Sequence, residues 1–366
     1  MSNSNNQEFK AISLFSGMGG DSLGIVQSGI KLEAYSENKE RFRDTHDLNF
    51  TECKLIGKKV KSDILKVTDE ELKTYKGSID LVFAGFPCQG FSTAGKKQSN
   101  DPRNSLFREF VRTAKLVNPD VIIGENVKGL LSRKTDTNQK YIDVIVSEFQ
   151  NLGYSLVWNV FKCNEFGIPQ NRERLIIVGI KTDKLDNYNL SFPDPTYDPV
   201  DLKNIVKFNM KGAIKVADDM FRSLKIPNNC ILSDLNNEEN ETNPHPYLKS
   251  KINATGSDLS YNGKSYDFLF SFSKRISPIH CEIVDIRNPS KTIICTYEHQ
   301  PRLFVPLQNK NGYFFRALLP DELKQIQGFP ENYQLAGNVK EQIIQIGNAV
   351  PPPLIKKIVK HVFKFT

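Results

Sequence analysis

The chain has 366 residues, room for two or three domains, and its 39% hydrophobic and 25% charged residues set it apart from disordered and fibrous proteins. A formal net charge of +7 suits a polyanionic partner without requiring one. Six scattered cysteines with no C-x-x-C pair argue against a zinc site or a disulfide framework. With a polar start and no apolar run near the roughly 18 residues of a membrane span, the expectation is a cytoplasmic protein.

In chain order, apolar runs predict strands at residues 11–15, 32–36, 79–84, 121–125, 155–161 and 175–180. Helical patterns fall between them, at 21–28, 105–117 and 141–152. This alternation predicts an α/β fold with a doubly wound, mostly parallel sheet, in which ligands sit outside the carboxyl ends of the strands. The character changes near Phe192, where PDPTYDP forms a connector and the polar run NNEENETNPHP reads as a loop. Lys203, Lys207, Lys211 and Lys215 would form a basic stripe if their segment were helical, either solvated or contacting phosphates. The closing PPPLIKKIVKHVFKF fits a docked amphipathic helix.

The residues after each predicted strand are the ones to inspect. FSGMGG (residues 15–20) lets the backbone approach a ligand at a helix start, although Ser22 leaves the dinucleotide fingerprint incomplete. A plain tight turn would look the same. Glu37, 20 residues beyond Gly17, is placed to accept ribose hydroxyls, and the two together favour a nucleoside ligand. Asp63 and Ile64 could add a polar contact and an apolar wall, or form a surface turn. In AGFPCQGFS (84–92), Cys88 stands behind Pro87 at a strand end, either a reactive thiol or a buried structural one. Glu125 ends another strand as a cap, an ion-pair partner, or an acid or base facing the cysteine. Arg172 and Arg174, two apart on an extended segment, point the same way and could reach phosphate, a base edge or a structural partner.

In this order, FSGMGG, Glu37, Asp63-Ile64, PCQGFS, ENV, QNRER, RNPSKTI, QGFP and GNAVP closely resemble the cytosine-5 DNA methyltransferase family, of the prokaryotic modification type. The match spans nearly the whole chain outside about 195–280. The resemblance implies an S-adenosylmethionine-dependent methyltransferase fold, with a catalytic and donor-binding domain at 1–191, a small target-recognition domain at 192–337, and a returning segment at 338–366. It implies that Phe15, Gly17, Gly19, Glu37, Asp63, Ile64, Pro87, Asn348 and Ala349 surround the methyl donor, that Cys88, Glu125 and Arg172 form the catalytic group with Arg174 beside them, and that no metal takes part. S-adenosylhomocysteine would be the product. Double-stranded DNA would lie between the domains, a restriction endonuclease acting on the same site is a candidate partner, and a monomer is expected. Two positions depart from the family: Ser62 stands where glycine is usual and Ala349 where serine is common, and both bear on donor affinity alone.

The chemistry explains the residue types. Thiolate addition at cytosine carbon 6 makes carbon 5 nucleophilic, an acid near N3 receives the displaced charge, and the nucleotide must leave the duplex stack. Glu125 is the candidate acid, Arg172 would orient the base or Glu125, and the glycine- and lysine-containing loop at 89–100 would be either a lid that closes over DNA or a solvated surface loop. Three rivals fit less well. A tRNA-modifying relative would carry Cys-Phe-Thr where this chain has Cys295-Thr-Tyr, an idle DNA-binding scaffold would not retain Cys88 and Glu125, and a nicotinamide dehydrogenase explains neither PCQ nor QNRER.

Overall fold

The computed structural model describes residues 8–87, 106–196, 200–240, 282–297 and 303–365, and the backbone of 252–255, 259–261, 264–266 and 269–272. Cys88 and the proposed lid at 89–100 lie outside the described residues. Contacts divide the chain into two units. The first is Met1–Pro199, Gln327–Gly337 and Asn348–Thr366; the second is Val200–Ile326 and Asn338–Gly347.

In the first unit the strands are β1 (Lys10–Leu14), β2 (Lys31–Ser36), β3 (Lys54–Leu55), β4 (Leu81–Ala84), β5 (Val121–Asn126), β6 (Tyr154–Lys162), the short β7 (Gln170–Asn171) and β8 (Glu173–Lys181). The helices between them are α1 (Gly20–Ser28), α2 (Glu40–Asn49), α3 (Asp69–Lys73), α4 (Phe107–Val117) and α5 (Tyr141–Gln150). One seven-stranded sheet runs β3-β2-β1-β4-β5-β8-β6. The pairs joining β3 through β5 are parallel, and β8 runs antiparallel to both its neighbours. Both faces are covered, so the strands are continuously apolar: Ile122 packs in one core cluster, while Val121 and Ile123 face the other. The strand order reverses between β1 and β4, which makes their carboxyl ends the place for a ligand.

The second unit holds β9 (Ile214–Val216), α6 (Asp218–Ser223), β10 (Leu232–Asp234), β11 (Ile252–Thr255), β12 (Leu259–Tyr261), β13 (Lys264–Tyr266), β14 (Leu269–Phe272), β15 (Glu282–Ile283), β16 (Ser290–Lys291), β17 (Leu303–Asn309), β18 (Gly312–Ala317), α7 (Pro320–Ile326) and α8 (Val339–Asn348), whose last residue counts with the first unit. Its sheet runs β10-β17-β18-β9, with β15 also paired to β17. Gly347, in the last turn of α8, packs so closely on the Ile294 and Cys295 backbone that any side chain there would collide. The lysine stripe does not form. Residues 206–210 run without regular structure and Lys215 sits on β9, because Arg316 takes the Lys207 and Asn209 carbonyls that a helix would use internally. The chain ends in the first unit with the expected amphipathic helix, α9 (Pro352–Val362), which buries Leu354, Ile355, Ile358, Val359 and Val362.

Candidate active site

The β1–α1 loop makes a turn in which alternate residues are left-handed. Phe15 adopts φ 58, a costly left-handed conformation for an aromatic residue, and Gly17 and Gly19 follow at φ 56 and 92. Ser16 N donates to Ser36 O at 3.0 Å, which ties the loop to the end of β2. A Cβ on Gly17 would meet no described atom within 4 Å, so the loop presents bare backbone to open space. Gly19 differs, because a Cβ there would strike Phe50 and Tyr333.

Glu37 faces this loop. Its Oε2 accepts Gly17 N–H at 3.0 Å and its Oε1 accepts Lys39 N–H at 2.8 Å. Burial pushes its carboxyl above the usual carboxylate range, against the pull of these bonds and of the Lys39 and Arg43 charges. Asp63 caps a short 3-10 turn through Leu65 N–H and lies 3.3 Å from Lys66 Nζ, while Ile64 is buried in the core beneath. The bare turn at Gly17, a two-oxygen acceptor at Glu37 and the partly exposed carboxylate of Asp63 fit the amino-acid and ribose groups of a methyl donor.

The second cluster lies at the ends of β4 and β5. Glu125 Oε1 accepts Arg174 Nε–H at 2.7 Å. Burial pushes the Glu125 carboxyl upward, and the nearby charges of Arg174 and Arg172 only partly offset this. Arg172 is 1% exposed and donates to Ala349 O at 3.3 Å. Asn126 Nδ2 holds Phe86 O at 3.0 Å, pinning the strand exit that leads to Pro87. Gly85 joins the two clusters: a Cβ there would lie 3.7 Å from Glu125 Oε2, 3.7 Å from Val350 Cγ2 and 3.9 Å from Phe15 O.

Of the residues expected in the site, Phe15, Glu125 and the segment leading to Pro87 therefore converge at one point, and Gly17 and Glu37 are bonded to each other. Asp63 and Ile64 lie on the neighbouring loop, and Asn348 is exposed. The carbonyl of Ala349 proves to be a junction, accepting from Gln327 Nε2 at 2.6 Å as well as from Arg172, while Gln170 bonds Gln327. Sequence reasoning missed Asp21. It is buried in the first turn of α1, accepts a hydrogen bond from Ser13 Oγ and has its pKa pushed up to about 7 by burial. The signal was a lone charge between a glycine loop and an apolar helix. Among the described residues, no group of three or more His, Cys, Asp or Glu is placed to hold a metal, and no helix is long and apolar enough to cross a membrane.

The sheet order is that of a methyltransferase fold of the S-adenosylmethionine-dependent class. The structure of a triple mutant of Spodoptera frugiperda DNMT2 superimposes with a TM-score of 0.64 over 97% of this chain and all (100%) of that one, at 18% identity. The sequence model described as C-5 cytosine-specific DNA methylase matches residues 9–364, and the chain belongs to that family, enzymes that carry out S-adenosylmethionine-dependent methylation of DNA cytosine. Among curated relatives, it is 30% identical over 358 residues to the type II methyltransferase M1.HphI of Haemophilus parahaemolyticus, covering 96% of this chain and 86% of that protein. It is 28% identical over 383 residues to the type II methyltransferase M.NgoFVII of Neisseria gonorrhoeae, covering 98% and 88% respectively.

Proposed function

We propose that the chain methylates carbon 5 of a specific cytosine turned out of duplex DNA, through a transient thioether between Cys88 and carbon 6. The observation that supports this most is the meeting at Gly85 of the donor loop, the Glu125 carboxylate and the chain entering Cys88. When bound, S-adenosylmethionine supplies an electrophilic methyl group and departs as S-adenosylhomocysteine. Glu37 holds its ribose, Asp63 and Ile64 add a polar contact and an apolar wall for its adenine, Gly17 lets the backbone approach while Gly19 shapes the turn, and Phe15, Pro87, Asn348 and Ala349 complete the surround.

The Cys88 thiolate adds to carbon 6, and the ring electrons move toward N3. Glu125, whose proton affinity burial raises, gives N3 a proton, so carbon 5 becomes an enamine carbon able to form the new C–C bond. Arg174 fixes the carboxyl through its 2.7 Å contact, and Arg172 adds charge behind it. A base then removes the carbon-5 proton, its electrons re-form the C5–C6 double bond as the thiolate leaves, and N3 returns its proton to Glu125. Bringing the cytosine out of the stack costs a few kcal/mol, which contacts to the extruded base must offset.

In this reading the first unit carries the chemistry, and the second, Val200–Ile326 with Asn338–Gly347, reads the DNA sequence. The type II names of the relatives support a restriction–modification setting. In this reading the enzyme is a cytoplasmic monomer that shares its site with a cognate endonuclease. Transfer of labelled methyl to unmethylated duplex DNA tests the reading, with tRNA and Cys88→Ala protein in parallel. Label on cytosine carbon 5 of DNA that disappears with Cys88→Ala is the expected result. Label on tRNA alone, or transfer that survives Cys88→Ala, would overturn it.

A further inference from the structure

We propose that Ser62 is a positioning residue for the nucleoside end of the methyl donor, locking Glu37 to the loop that carries Asp63. This rests on the donor site proposed above. Lys61 and Ser62 both adopt φ 55, a conformation in which an L side chain is disfavoured and glycine is free. That conformation is a physical reason for glycine to be usual here. A serine that tolerates the strain should therefore contribute something glycine cannot.

Its hydroxyl does so in the structure. Ser62 is 2% exposed, and its Oγ accepts the N–H of Glu37 at 3.0 Å. The loop behind it is closed by Ser62 N donating to Gly57 O at 2.8 Å and Asp63 N to Val60 O at 3.2 Å. Arg43 adds a second strap, its Nη1 donating to Glu37 O at 3.0 Å and to Lys61 O at 3.2 Å. Glu37 is in turn bonded to Gly17 N–H, so Ser62 is the far end of a connected path from the Asp63 loop through Glu37 to the β1–α1 turn. Without the hydroxyl, only the Arg43 strap ties the Glu37 backbone to the Asp63 loop, and the spacing of the two carboxylates loosens.

Two variants separate positioning from mere stability. Ser62→Ala removes the hydrogen bond and keeps a Cβ at positive φ, whereas Ser62→Gly removes the bond and relieves the strain. The full-length chain is titrated calorimetrically with S-adenosylhomocysteine, and Tm is measured without ligand. Both variants should bind about tenfold more weakly, the factor that one lost hydrogen bond of about 1.4 kcal/mol represents. The Tm of Ser62→Gly should nevertheless exceed that of Ser62→Ala. If both variants bind as the wild type does, or if Ser62→Gly regains affinity together with stability, the hydroxyl has no positioning role. Wild-type protein that fails to bind S-adenosylhomocysteine would instead remove the donor-site reading, and this inference with it. Should Ser62→Ala fail to fold, the affinity of Ser62→Gly alone decides the question.

Discussion

Glu125 Oε1 and Arg174 Nε meet at 2.7 Å at the carboxyl edge of the sheet, with both side chains nearly buried. The contact sets two opposed demands on one carboxyl: burial favours its neutral form, and the guanidinium favours its charged form. As the acid that protonates cytosine N3, Glu125 must carry a proton, so activity should fall as pH rises through its raised pKa. Arg174→Gln removes the charge that lowers that pKa. The high-pH limb of kcat should therefore move further up in this variant, although the maximal rate falls. Glu125→Gln should reduce kcat by about 10²–10⁴-fold while S-adenosylhomocysteine still binds. Methyl-transfer rates across pH check both, and an Arg174→Gln limb displaced to lower pH would contradict the assignment.

Asp21 predicts a pH dependence of stability. Its pKa rises from the ordinary 3.8 to about 7 inside the fold, mainly through burial. Because the folded value is the higher one, the folded chain holds an extra proton between pH 4 and 7, and stability falls as pH rises through that window. The difference corresponds to on the order of 4 kcal/mol. The titratable groups around it are Glu125, which pushes its pKa the same way, and the Cys53 thiol and Tyr333 phenol, whose own pKa values its charge raises. Urea denaturation should show Asp21→Asn gaining on the wild type as pH rises from 5 to 8. A constant difference over that range would sink the prediction.

The legibility of this site differed by feature. The strands that carry it read clearly, since a sheet covered on both faces needs unbroken apolar runs such as VIIGEN, and the residues at or just past their ends, Phe15, Glu37 and Glu125, came with the strands. What did not read were relationships between distant segments. The Ala349 carbonyl gathers Gln327 and Arg172, 22 and 177 residues away, and nothing at Ala349 itself signals an acceptor in use. The lysine spacing misled for a similar reason. Local periodicity suggested a stripe, whereas a side chain 109 residues along the chain from Lys207 decides its backbone.

Glycines at the α1–α9 contact should tolerate no side chain. A Cβ at Gly24 would lie 2.7 Å from both Ile355 Cβ and Pro352 O, and one at Gly20 would run into Val350 O. Alanine gains about 0.5–1 kcal/mol of helix propensity over glycine, but overpacking costs about 1–3 kcal/mol, so Gly24→Ala should be destabilised on balance. Gly20→Ala should suffer more, since it meets backbone that cannot rotate aside, and its shift would also displace the donor loop. Thermal denaturation with and without S-adenosylhomocysteine checks the order; a Gly20→Ala protein as stable as wild type would exclude the close approach.

In the second unit, Arg316 and Glu322 form a buried pair, with Arg316 Nη2 2.7 Å from Glu322 Oε1 and Nη1 2.8 Å from Oε2. Arg316 also donates to Asn209 O at 2.9 Å and Lys207 O at 2.8 Å, so it shapes the lysine segment as well as neutralising Glu322. Arg316→Met should cost about 3–5 kcal/mol, because it leaves a buried carboxylate without its partner. Adding Glu322→Leu removes that orphaned charge and should restore much of the loss. Recovery should stay incomplete, since the Lys207 and Asn209 carbonyls still lack their donor and each such group costs about 1–3 kcal/mol. Hydrogen exchange distinguishes the two parts of this account. In the double variant, amides around 203–211 should remain faster than in the wild type while those of β17 and β18 return to wild-type protection. Equal recovery of both segments would mean that Arg316 acts through Glu322 alone and that the lysine segment holds its shape without it.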